Sequence, residues 1–293
     1  MPLLSVIMLK VKILLWLVTF SAFFIVGAVV LASINPFTKL SLTDLAAIAD
    51  KADCKSDPRF HIAYARRLRQ VGKLDEASAE VEKASELVSG KNAQFRLSDF
   101  LSDPNINYAI EEGRGLIADK KEDYATALKH FEAARKYDSC AAAMVNKARA
   151  LDHLGREDEA SVLYDQAVNK ACHDVQEYPL EERARFNLIH KRYKEAKVDL
   201  DRTLACSACD EAYRLRALTY EGLGDDKNAL ADYNSAIGIS PCEATLHNRA
   251  LLKLRAKDYS GAMADVDAAS KFEPLCPELE KTKEEIKTAS QAK

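Results

Sequence analysis

The sequence is poor in glycine and proline, with 10 and 8 residues in a chain of 293. That is too few for a turn-rich all-β protein. It also lacks a large excess of either charge. Against 45 Asp and Glu stand 42 Lys and Arg, which gives a net charge of −3 and an isoelectric point near 6.1. A balance of that kind excludes general nucleic-acid binding. A mean hydropathy of −0.24 excludes a polytopic membrane protein. Apolar residues still make up 48% and charged residues 30%, so the chain folds rather than staying disordered. Catalytic signatures are missing too. There is no glycine-rich phosphate loop and no His–Glu zinc-protease motif. The histidines (His61, His130, His153, His173, His190 and His247) are scattered. No two carboxylates stand out as an acid and base pair. No enzymatic activity, cofactor, metal or small-molecule substrate is expected.

One long apolar run is present. Ile13 to Ile34 is 22 residues without a charge. As a helix it would measure about 33 Å, enough for a ~30 Å hydrocarbon core. Lys10 and Lys12 precede it, Asn35-Pro36 ends it, and Trp16 lies near the basic end. Residues 1–37 are therefore expected to be a transmembrane signal anchor. The alternative is a signal peptide cut before Ser33, after the small residues Val30 and Ala32. Apolar regions of signal peptides run to about 7–15 residues, which favours the anchor. No cysteine follows the run closely, so a bacterial lipoprotein is not expected. The flanking lysines favour an N-terminus in the cytoplasm and a C-terminal part outside it, with a cytosol-facing domain as the alternative.

The rest of the chain repeats itself. Small residues recur at Ala77, Ala127, Ala160, Ala196, Ala229 and Ala262. Seven positions after each comes Ala84, Ala134, Ala167, Thr203, Ala236 or Ala269. Between the two lies a larger residue: Val81, Phe131, Tyr164, Leu200, Tyr233 or Val266. Twelve positions before the first set stand Ala65, Gly115, Ala148, Ala184, Ala217 and Ala250. Small residues let helices approach closely, and large ones fill the space between them. Gly72, Gly155 and Gly224 fall where a turn between two helices needs a positive φ. Pro241 and Pro274 fall where a second helix must stop.

This pattern resembles the tetratricopeptide repeat (TPR) family, a 34-residue helix–turn–helix unit. A Sel1-like solenoid is the alternative, but its period is a few residues longer. The resemblance implies an all-α, TPR-type α-solenoid preceded by one transmembrane helix. Repeats fall at about 58–91, 108–141, 141–174, 177–210, 210–243 and 243–276. Residues 38–57 read as a linker and N-terminal cap helix, 92–107 as an insertion, and 277–293 as a C-terminal capping helix.

Cysteines follow the repeat. Cys140, Cys172, Cys206, Cys209, Cys242 and Cys276 lie at repeat joints, where the open ends of a helical hairpin meet. In an oxidising compartment they are candidates for disulfide staples, each closing one repeat. Cys206-Ser-Ala-Cys209 is also a CxxC motif, so a thiol–disulfide oxidoreductase is a further alternative.

TPR arrays bind extended peptides or partner helices in a concave groove lined by their first helices. Carried over position by position, the resemblance implies groove residues Arg59, Arg66, Arg69, Arg149, Asp152, Tyr178, Glu181, Arg185, Arg214, Glu221 and His247. Asn146, Asn248 and Arg255 lie beside the frame. Arginine forks suit carboxylates, so acidic or C-terminal peptide segments are the expected ligands. Pairing of these arginines with Glu112, Asp119 and Glu182 inside the solenoid is the alternative. The residues that hold a C-terminal EEVD in co-chaperone TPRs do not carry over, because Ile62 and Arg66 occupy those positions. The expected function is a membrane-anchored scaffold for protein partners, assembling an extracytoplasmic complex. A cytosol-facing client receptor is the alternative.

Overall fold

The computed structural model describes residues 37, 39–49, 51–89, 106–138, 140–171, 177–272 and 276–291. All regular structure among them is helical. The chain divides into two compact units, 1–139 and 140–293.

The first unit holds two helical hairpins. Helix α3 (Pro58–Gln70) pairs with α4 (Leu74–Ser89), and α5 (Ile106–Lys120) with α6 (Tyr124–Ala134). Their core joins Ala65, Leu68, Ala77, Val81, Ala84, Ile110 and Ile117. Two short helices, α1 (Leu42–Ile48) and α2 (Ala52–Lys55), pack on α3. Where the sequence leads to one cap helix, the capping region folds as two. Ser41 starts α1 with a capping box: its hydroxyl accepts from the Asp44 N–H, and its own N–H donates to the Asp44 carboxylate. Phe37, Leu40 and Ile48 then cover the buried Leu45 and Phe60.

The second unit stacks four hairpins and a last helix. These are α7 (Ala141–His153) with α8 (Glu157–Lys170), α9 (Glu177–Ile189) with α10 (Tyr193–Cys206), α11 (Asp210–Gly222) with α12 (Asp226–Ile239), and α13 (Glu243–Arg255) with α14 (Tyr259–Ala269). Helix α15 (Pro277–Gln291) covers α14 with Leu279 and Ile286. Alanines 148, 160, 167, 184, 196, 217, 229, 236, 250, 262 and 269 are buried completely, as are Leu200, Tyr233 and Val266 between them. Gly115 occupies the alanine position in the first unit for a steric reason. A Cβ there would sit 2.5 Å from the Phe131 ring.

Each hairpin turns in the same way. Gly72, Glu122, Gly155, Lys191, Gly224 and Lys257 all have φ between 58° and 79°. The next residue's N–H donates to the carbonyl five positions back, as Asp225 does to Tyr220 and Asp258 to Lys253, both at 2.9 Å. This is the 6→1 bond of a Schellman stop. In three of the turns the donor also caps the second helix: the Asp123, Asp225 and Asp258 side chains accept from Thr126, Asn228 and Gly261. Half of these turns thus place a charged side chain where glycine is the easier choice.

The apolar run 13–34, most of the insertion 92–107, Cys172 and Pro274 lie outside the described residues. Among the described residues no helix is long and apolar enough to cross a membrane. The disulfide expectation finds no support among the described cysteines, and the pairs that include Cys172 lie outside the described residues. No disulfide links Cys54, Cys140, Cys206, Cys209, Cys242 or Cys276 to one another. Cys140, Cys209 and Cys242 are each the N-cap residue of a first helix, in extended backbone. Nearby polar groups occupy the sulfurs instead: Cys242 Sγ lies 3.1 Å from Thr245 Oγ1, and Cys276 Sγ 3.2 Å from Glu278 Oε2.

Candidate functional site

In the second unit the first helices α7, α9 and α11 pack side by side. Their shared face is zwitterionic. Arg149 Nη1 lies 3.9 Å from Glu182 Oε2 on α9. Arg185 contacts Glu182 at 3.5 Å, Glu181 at 3.0 Å and Glu211 on α11 at 2.9 Å. Arg214 donates twice to Glu211, at 2.6 and 2.8 Å. Three predicted groove arginines are thus brought together, with carboxylates between them. Burial pushes the Glu181 carboxyl above its ordinary value; Arg185 opposes that, and Glu211 and Glu182 add to it. Glu211 goes the other way: against its burial, Arg214 and Arg185 hold it below the usual carboxylate range. Tyr178 stands exposed at the start of α9.

Other predicted residues lie elsewhere. Asn146 is buried inside α7 rather than displayed. His247 Nε2 lies 2.9 Å from Thr282 Oγ1 and so faces α15. Arg255 pairs with Glu221 of α11, and Asn248 is half-buried on α13. In the first unit, Arg59 folds back on Asp57 at 2.8 Å. Arg66 is exposed on α3, and Arg69 is half-buried near the end of the same helix.

The groove frame missed a second set of arginines. Arg183, Arg216 and Arg249 each donate twice to an aspartate on the partner helix of their own hairpin. The acceptors are Asp199 (2.6 and 2.8 Å), Asp232 (2.7 and 2.9 Å) and Asp265 (2.5 and 2.8 Å). These aspartates are only 2%, 6% and 4% exposed. The remaining Nη1 of each arginine reaches the preceding hairpin, at Asp165, Asp201 or Asn234, within 2.7–2.8 Å. One guanidinium therefore ties two helices of one repeat to the repeat before it. The first unit uses a different pair: His61 faces Glu80 at 2.6 Å, and Glu111 faces His130 at 2.8 Å with the roles exchanged. A signal for the ladder was present, since Arg183, Arg216 and Arg249 recur every 33 residues and so do Asp199, Asp232 and Asp265.

Residues 113–174 match the tetratricopeptide repeat family, and residues 210–241 match it again. The chain carries tetratricopeptide repeats. Solved structures share the fold. A TPR protein from Parabacteroides merdae aligns over 84% of this chain and 90% of its own, with 16% identity and a TM-score of 0.59. PilW, a type IV pilus biogenesis factor, aligns over 76% of this chain and 97% of its own, with 16% identity and a TM-score of 0.60. In the Cut9–Hcn1 assembly of the APC/C the TM-score is 0.63 at 13% identity, over 87% of this chain. This chain spans about half the length of that relative, 47%. A search of curated proteins by sequence found no match.

The CxxC places Cys209 at a helix start but not with the depressed thiol that a redox motif uses. Cys206 ends α10 and Cys209 begins α11. Burial pushes the Cys209 thiol up; the Ala212 N–H opposes that, and the carboxylates of Glu181 and Asp210 add to it, the reverse of an activated thiolate. Among the described residues, no three His, Cys, Asp or Glu are grouped to hold a metal ion. A depression of about 360 Å³ on α7 and α8, lined by Lys147, Leu151, Asp158, Glu159, Val162 and Leu163, is open to solvent.

Proposed function

We propose that this TPR protein is a binding scaffold rather than an enzyme. It receives a peptide segment or helix of a protein partner on the face formed by α7, α9 and α11. The observation that carries this reading is the row Arg149–Glu182–Arg185–Glu211–Arg214, which crosses three adjacent first helices. Such a surface is polar, ordered and reachable. An acidic or C-terminal segment binds there by taking a guanidinium from its present carboxylate. Glu181 is the easiest to displace, because its charge is already disfavoured. Partner capture from native membranes by crosslinking, repeated with Arg149→Ala and Arg185→Ala, tests the site. Unchanged recovery would refute it.

The proposal extends to place. Residues 13–34 anchor the protein in a membrane, with the TPR units outside the cytoplasm, where they help assemble an envelope or lumenal complex. The charge-free run supports the anchor. PilW, similar in fold, is a type IV pilus biogenesis factor. Detergent-free extraction tests the anchor: a soluble chain starting near Ser33 would end it. A reporter fused after Lys293 distinguishes this orientation from a cytosol-facing client receptor.

A further inference from the structure

The hairpins carry one large residue at the same register of their second helices: Val81, Phe131, Tyr164, Leu200, Tyr233 and Val266. Only the two tyrosines have a polar atom, and their hydroxyls meet different surroundings. In the hairpin of α11 and α12, the Tyr233 hydroxyl donates to Glu221, twelve positions earlier on the first helix. In the hairpin of α7 and α8, Asp152 stands twelve positions before Tyr164. Its side chain is one methylene shorter and already engaged, with Oδ1 2.7 Å from His190 Nε2. Tyr164 forms no hydrogen bond among the described residues. The residue is only 3% exposed. Yet no fully enclosed side-chain N or O among the described residues is left without a partner, so the Tyr164 hydroxyl opens to the surface.

The place where it opens is fixed. The ring lies against that of Phe186 on α9, with centroids 5.0 Å apart. Around the phenol stand Arg149 and Asp152 of α7, and Tyr178 and Glu182 of α9. The hydroxyl therefore lies in the seam between α7 and α9, beside the Arg149–Glu182 pair. Burial, and after it the Glu182 charge, pushes the phenol pKa upward, so its proton is retained near neutral pH. It is an oriented donor without an acceptor. A ring needed for packing alone would not carry the oxygen, and Phe131 fills the same register without one. A polar group buried to this degree and left unmet costs free energy that a ligand recovers on binding. The neighbouring charges decide the kind of acceptor. Two carboxylates and one guanidinium disfavour a third carboxylate at that spot, whereas a neutral carbonyl oxygen meets no such repulsion.

We propose that Tyr164 is a further binding residue, whose O–H donates to a main-chain carbonyl of an extended peptide lying across the seam between α7 and α9. This rests on the binding face proposed above for α7, α9 and α11. It adds a grip that does not depend on the side chains of the ligand, next to arginines that read its charge.

The test uses the full chain in detergent. The probe is a fluorescent decapeptide of alanine and glycine that ends in two glutamates and a free carboxylate. Tyr164→Phe removes one oxygen and keeps the ring. It should weaken the probe about fivefold, the net effect of one hydrogen bond, with the urea midpoint unchanged or raised. Replacing each probe amide in turn by an ester weakens one carbonyl as an acceptor. One ester should cost the wild type severalfold more than the others, and that excess should vanish in Tyr164→Phe. Arg185→Ala reads the face itself and should also weaken the probe. Weakening by Arg185→Ala with wild-type affinity in Tyr164→Phe would overturn the role of the hydroxyl and leave the face. A midpoint that falls together with affinity in Tyr164→Phe would assign the hydroxyl to the fold and overturn its role as well. A probe that does not bind, or that binds both variants as it binds the wild type, would overturn the face and the hydroxyl together.

Discussion

Replacing Arg216 by Met isolates one rung of the Arg–Asp ladder. The variant keeps most of the apolar stem and removes the fork. Asp232 then loses two charge-assisted bonds, at 2.7 and 2.9 Å, while staying 6% exposed. Breaking a buried pair in this way costs about 3–5 kcal/mol, because an uncompensated charge remains. Partial exposure lowers that figure, and the remaining contact adds little to it. The Arg216 side chain is 20% exposed, so water reaches the site. The third bond goes to Asp201, which is 41% exposed, and such a contact contributes about 0–1 kcal/mol. The net expectation is about 2–3 kcal/mol, a factor of roughly thirty to a hundred and fifty in the local opening equilibrium. Repeat arrays open in parts, so urea unfolding should be paired with hydrogen exchange of α10 and α12. The double variant Arg216→Met with Asp232→Leu removes the orphaned charge and should recover at least half of the loss. A single-variant cost below about 1 kcal/mol, or strictly additive losses in the double, would refute the reasoning.

The hairpin turns give a simpler prediction. At Gly224 (φ 76°) an added Cβ meets nothing within 4 Å, so Gly224→Ala should cost about 1 kcal/mol through φ alone, whereas Lys191→Gly and Lys257→Gly should each gain about 0.5 kcal/mol in chemical denaturation. Gly115→Ala should lose about 1–3 kcal/mol from the clash with the Phe131 ring, and Phe131→Leu in the same chain should restore part of the midpoint. Acid should unfold the protein through carboxylates held low in the fold. Hydrogen bonding from Arg114 lowers Glu82, and Lys197 and Arg216 lower Asp201 against its burial. Their stabilisation is complete above the unfolded carboxylate range near pH 4 and is lost as pH falls through the depressed folded values, so the melting temperature should drop below about pH 4. Glu181 has the opposite sign: its raised pKa means that ionisation weakens the fold, so Glu181→Gln should raise the melting temperature at pH 7, with the gain fading as wild-type Glu181 protonates in acid.

The helical hairpins were legible because alanine-sized residues at three registers have only one use in such a chain. Close helix contacts demand them, and all-α TPR hairpins followed. The turns at Gly72, Gly155 and Gly224 were legible from glycine, but the left-handed φ of Glu122, Lys191 and Lys257 was not. The ladder was not read from the sequence, because charged residues in helices are first taken as solvated. Asp199, Asp232 and Asp265 break that habit only when their 33-residue spacing is set beside that of the arginines. Cysteine spacing pointed to disulfides that the described residues do not form. The ends of a hairpin do approach each other, but Cys140, Cys209 and Cys242 are N-cap residues, and that position sets the backbone without supplying a second sulfur. The groove frame placed Arg149, Arg185 and Arg214 on neighbouring helices. The alternative of pairing inside the solenoid named Glu182, which Arg149 and Arg185 do contact, but not Glu211, whose contact depends on how far apart α9 and α11 lie.

Helix α9 allows folding and binding to be separated within three residues. Arg183 and Arg185 are about 200° apart around the helix. Arg183 points at Asp199 of α10 and at Asp165, whereas Arg185 points at Glu181, Glu182 and Glu211. The two positions carry the same side chain and differ in what removal leaves behind. Without Arg183, a carboxylate only 2% exposed is stranded, and about 2–3 kcal/mol of stability goes with it. Without Arg185, three carboxylates lose a shared cation. They are partly exposed, and Glu211 keeps Arg214, so the loss should be about 1 kcal/mol or less. Binding should follow the reverse order: Arg185→Ala abolishes partner capture under conditions where Arg183→Met, kept folded by low temperature, still captures. Urea midpoints and crosslinked recovery measured on the same preparations decide the matter. If recovery simply tracks the midpoint in both variants, the face of α7, α9 and α11 has no binding role of its own, and its arginines serve the fold alone.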